Sequence, residues 1–103
     1  MEKITVILES KRYSAIGEYK DGEITIKSGS KLNPTFKENY AFSRKAKEYR
    51  ESSEYVGKDF VLKKDITFSS PSTAAQFVLG YSANGWRCWR TENKKYIEVL
   101  KER

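Results

Sequence analysis

The sequence predicts a small α+β domain, a mainly antiparallel sheet with two helices packed on one face. Three observations carry that expectation. Short β-branched runs open the chain, an Asp-Gly dipeptide sits between two alternating segments, and two helical patterns interrupt the later strands. At 103 residues the chain makes one domain, spanning 1–103, with enough length for one modest core.

Ile4-Thr-Val-Ile-Leu8 is apolar and β-branched and reads as a strand. Ala15–Tyr19 and Glu23–Lys27 flank Lys20-Asp21-Gly22, whose Asp-Gly supplies the positive φ angles of a hairpin turn. The second arm alternates cleanly, so Ile24 and Ile26 face the core. Ser28 to Pro34 breaks the pattern as a loop.

A charged stretch follows, Ala41 to Glu51. Phe42, Ala46 and Tyr49 recur at i, i+4 and i+7 and define the apolar stripe of a first helix. Arg44 with Glu48, and Lys47 with Glu51, stand four apart on the charged side, each pair adding only about 0.2–0.5 kcal/mol. Phe60–Leu62 and Ile66–Phe68 read as short extended segments.

The second helix carries stronger punctuation. Ser70 suits the N-cap and Pro71 the first helical position, where a missing N–H costs nothing. Ala74, Phe77, Val78 and Tyr81 share a face, and Gly80 suits the left-handed residue that ends a helix. Asn84-Gly85 then reads as a tight turn launching a strand, Trp86 to Thr91. Glu92–Lys95 is a further turn, and Tyr96–Leu100 a closing strand or short helix.

Phe68-Ser-Ser-Pro-Ser-Thr-Ala-Ala, with Gly80, Asn84-Gly85-Trp86 and Trp89 after it, resembles a known pattern. It is similar to the small uncharacterised domain at the C-terminus of some GIY-YIG nucleases and restriction-modification proteins, and to the related RAMA (restriction enzyme adenine methylase associated) domain. The likeness is specific over residues 68–89 and weaker over 13–67. It implies an accessory module that contacts DNA or docks beside enzymes that do, and not a catalyst. The GIY and YIG motifs of the nucleases themselves are absent.

The charge balance points the same way. The net charge is +6, and the surplus lies in two blocks, residues 37–64 and 82–103, on either side of the nearly uncharged segment between them. Such an excess favours a polyanion, most simply nucleic acid held through its phosphates. Arg44, Lys45, Lys47 and Arg50 on the first helix, with Arg87 and Arg90 downstream, are the candidate phosphate contacts. Against this stands a solvated face in which Glu48, Glu51 and Glu54 blunt the field.

Trp86 and Trp89 stand three apart, so in a strand they face opposite ways. Within that strand Trp86 is expected in the core and Trp89 partly exposed; base stacking by Trp89 is one reading, and a core or rim role for both is preferred. At the second helix start, capping is the preferred account of the serines, and an anion held at Ser70 and Ser72 is the alternative.

With no histidine and one cysteine, Cys88, the chain has no Cys–His pair, no disulfide and no plausible zinc set. Cys88 reads as a buried filler. No cofactor is expected, and no catalytic residue. The N-terminus lacks a signal-peptide pattern and no apolar run reaches membrane-spanning length, so a cytoplasmic setting is expected. Two partner classes stand open, nucleic acid (DNA first) and a restriction-modification or nuclease protein on which the module docks. An enzyme ranks last.

Overall fold

In the computed structural model, residues 3–35, 37 and 44–100 are described. Five antiparallel strands form one sheet in the order β4-β3-β2-β1-β5: β1 (Ile4–Glu9), β2 (Ser14–Lys20), β3 (Glu23–Ile26), β4 (Ile66–Phe68) and β5 (Arg90–Thr91). Two helices, α1 (Arg44–Arg50) and α2 (Pro71–Leu79), complete the expected α+β domain.

The β2–β3 hairpin forms where Asp-Gly predicts it. Asp21 (φ 50°) and Gly22 (φ 86°) both occupy the left-handed region, and Lys20 pairs with Glu23 across the turn. Register then aligns one face of the sheet. Val6, Leu8, Ala15, Ile24, Ile26, Ile66 and Phe68 are buried on it. The other face carries the Glu18–Thr25–Thr67 row, in which the two threonine hydroxyls bond at 2.7 Å.

Helix α2 lies on the buried face. Ser70 is its N-cap, accepting from the Thr73 N–H at 3.2 Å, and Gly80 ends it at φ 83°. Ala74, Ala75, Phe77, Val78 and Leu79 are all buried, more of the helix circumference than one face would supply. The reason is that α2 is covered on several sides. Phe68 packs on Phe77 from the sheet, Tyr49 packs on the same ring from α1, and Trp89 closes the start of the helix. Ala46 and Tyr49 carry the expected stripe of α1; Ala41, Phe42 and Ser43 lie outside the described residues.

Four local expectations are corrected. Phe60 has φ 64° and sits in a turn, so only Val61 and Leu62 make strand-like bridges, to Lys31 and Val56. Residues 86–91 are not one strand. Asn84 accepts from the Trp86 N–H, and a 3₁₀ turn at Gly85–Arg87 precedes the two residues of β5. That local capping bond competes successfully with sheet pairing.

The tryptophans are reversed as a consequence. Trp89 is fully buried and its Nε1–H donates to the Pro71 carbonyl at 3.1 Å, whereas Trp86 is half-buried edge-on against Tyr19. Strand alternation does not apply to a 3₁₀ turn. Tyr81 leaves the apolar face of α2 because Gly80 redirects the chain, and it is 38 % exposed.

Gly85 takes no positive φ. Its requirement is proximity: a Cβ there would lie 2.0 Å from the Pro71 oxygen and 2.4 Å from the Ser72 nitrogen. The glycine lets the segment after α2 fold back onto the first turn of that helix, where its N–H donates to Ser72 Oγ at 3.0 Å.

Candidate functional site

Among the described residues, α1 and the 3₁₀ turn lie toward opposite edges of the sheet. Tyr49 on α1 packs against Phe68 of β4, while the 3₁₀ turn leads into β5, and β4 and β5 are the opposite edges of the sheet. Arg44 and Lys45 are exposed on α1, and Lys47 is half-buried.

Arg50 points elsewhere. Its guanidinium donates to the Asn33 carbonyl, to Thr35 O at 3.4 Å and to Phe77 O at 3.5 Å. Burial pulls its pKa down to about 10, and it stays charged at neutral pH. Its hydrogen-bonding edge faces backbone carbonyls, which gives it a structural task.

The serines at the start of α2 are likewise engaged. Ser70 Oγ caps Thr73 and bonds its hydroxyl at 3.0 Å, and Ser72 Oγ accepts from Gly85. Trp89, with no exposed surface, offers no face to a base.

Arg87 and Arg90 do converge. They line a cleft of about 560 Å³ together with Lys94, Tyr13, Tyr81 and Tyr96. The cleft opens where β5 stops: β1 runs on to Glu9, but its pairing with β5 covers only Val6 and Ile7. Leu8 and Leu79 contribute the apolar part of the wall.

Its outer rim is held by a turn in which Lys94 N–H donates to Thr91 O and Thr91 N–H to Lys95 O, with Lys94 at φ 64°. The Arg90 guanidinium lies 4.7 Å from the Tyr96 ring centre and donates to its hydroxyl at 2.8 Å. Arg87 Nε sits 3.4 Å from a Glu98 carboxylate oxygen, both side chains being largely exposed.

Tyr81 and Cys88 are the uncharged ionisable groups of the cleft wall at physiological pH. Burial raises the Tyr81 phenol above its ordinary value, with Tyr13 and Cys88 adding to the effect. Burial also raises the Cys88 thiol, so it is present as a thiol and not as a nucleophilic thiolate. Cys88 is half-buried, packed against the core and lining the cleft, rather than the buried filler expected. Glu9 and Glu92 place two carboxylates in the same wall as the three cations. Among the described residues, no group of three or more His, Cys, Asp or Glu is placed to hold a metal ion, and no helix is long and apolar enough to cross a membrane.

Sequence patterns missed Tyr13, Tyr81, Lys94 and Tyr96 as cleft residues. Gly80 was the available signal for Tyr81, because a left-handed stop ends the helical face before it.

Residues 6–101 match a family model described as "Domain of unknown function (DUF4357)". The chain belongs to that family. The match covers the whole sheet beyond the first residues of β1, both helices and the cleft. No curated protein and no solved structure matches this DUF4357 chain.

Proposed function

We propose that this DUF4357 domain is a non-catalytic accessory module that binds nucleic acid, DNA foremost, through the cleft at the β1–β5 edge. The carrying observation is the convergence of Arg87, Arg90 and Lys94 with three tyrosines around one concave surface. Cations of this kind hold phosphates, and aromatic faces stack on bases whatever their identity. The net charge of +6 adds long-range attraction for a polyanion. The resemblance of residues 68–89 to the RAMA domain and to the tail domain of GIY-YIG nucleases supports a setting beside restriction-modification or nuclease enzymes.

Of the candidate contacts, Arg87 and Arg90 belong to this reading directly, and Arg44, Lys45 and Lys47 lie on α1. Docking on a partner protein is the second reading; Ile16 (51 % exposed) and Val99 (57 % exposed) favour it.

Fluorescence anisotropy with labelled single-stranded and duplex DNA, titrated across salt, tests the nucleic-acid reading. Three phosphate contacts on a single strand give a slope of log affinity against log salt of about −2. Arg90→Ala and Lys94→Ala should each flatten that slope by about 0.7. Absence of binding at low salt, with a folded protein, overturns the reading.

A further inference from the structure

We infer that the cleft takes one unpaired base of a DNA strand, with the neighbouring phosphates on the cations at its rim. The inference rests on the nucleic-acid reading above and adds to it the form of the ligand. Shape is the first argument. A reader of duplex grooves inserts a convex element, a helix or a two-stranded ribbon, into the groove. Here the arginines and tyrosines surround a hollow, and its 560 Å³ falls within the range of roughly 300–1,000 Å³ typical of pockets that enclose a small molecule.

Charge placement is the second argument. Glu9 and Glu92 share the cleft lining with the cations, so a phosphate bound within it would meet two carboxylates as well. A neutral base meets no such repulsion, and its amino and imino N–H groups can donate to those oxygens. The uncharged Tyr81 and Cys88 at the wall suit a neutral, partly polar, flat guest for the same reason. Arg87, Arg90 and Lys94 are all exposed, as Glu9 and Glu92 are, so the cations are accessible to the charged backbone on either side of the base.

Three labelled probes of one sequence test this at a single low salt concentration: a fully paired duplex, the same duplex with one bulged nucleotide, and the same with an abasic bulge. The expected result is about tenfold tighter binding to the bulged base, with the abasic probe falling back to the paired duplex. Tyr81→Ala should remove the preference for the bulged base over the paired duplex, its thermal melt serving as the folding control.

Equal binding of all three probes overturns the inference and leaves the nucleic-acid reading standing. No binding of any probe overturns both. Displacement of the bulged probe by an equal concentration of free deoxynucleoside monophosphate would support the base pocket while reassigning it from a strand to a free nucleotide.

Discussion

The Arg50 guanidinium donates to the backbone carbonyl of Asn33, and the Asn33 side chain in turn donates to the carbonyl of Leu79 at 2.9 Å. Together they complete the C-terminal end of α2. Gln76 O accepts from Gly80, Phe77 O from Arg50, Val78 O from the Asn33 N–H and Gly80 O from Lys37. The last turn of α2 contains no basic residue of its own, so α1 supplies the cation that its carbonyls and dipole favour.

Arg50→Met should therefore destabilise the domain by about 2–4 kcal/mol, since buried carbonyls lose charged donors. Lysine should restore only part of the loss, because one ammonium cannot span three separated carbonyls as a guanidinium does. Urea unfolding at neutral pH gives the change as a shifted midpoint with an unchanged slope. DNA affinity of the folded variant should equal that of the parent.

Gly85→Ala should cost about 3 kcal/mol or more, because its Cβ would meet backbone atoms that cannot rotate away. A much lower melting temperature is expected. A variant as stable as the parent would contradict the close approach of the 3₁₀ turn to the start of α2.

The two tryptophans should separate in acrylamide quenching. Trp86→Phe leaves Trp89 as the fluorophore, shielded and weakly quenched; Trp89→Phe leaves half-buried Trp86, quenched more strongly. Trp89→Phe should also cost about 2–3 kcal/mol, from lost volume and an unpaired Pro71 carbonyl, and Trp86→Phe less.

Asp65 gives the stability a pH dependence. Its carboxyl is held below the ordinary 3.8, first by the hydrogen bond from Lys27 and next by the Ser28 N–H. A carboxyl depressed in the folded state stabilises fully above its unfolded pKa and loses that contribution as pH falls through the folded one. Asp65→Asn should thus melt below the parent at pH 7, with the gap closing under pH 3.8 as the parent carboxyl is protonated. Added salt should narrow the gap at pH 7, because both partners are exposed.

Much of this architecture was legible from local signals. Asp21-Gly22 determines a turn through its own φ angles, and Ser70, Pro71 and Gly80 mark the ends of α2 through bonds made within a few residues. What escaped depends on contacts between distant segments. Nothing near Arg50 distinguishes it from Arg44; the loop at Asn33 does, seventeen residues away. The tryptophan reversal follows from an Asn84 capping bond that replaced strand alternation. The cleft draws Tyr13, Tyr81 and Tyr96 from three separate stretches, and no single periodicity unites them.

The brevity of β5 has a dynamic consequence. Only two register pairs, Val6 with Thr91 and Ile7 with Arg90, tie it to β1, whereas β1 and β2 share six. Amide protons along the outermost strand and the turn after it should exchange with deuterium well before those of the β1–β2 ladder. The wall facing an incoming strand can then fluctuate outward while the central sheet keeps its deuterium-protected bonds.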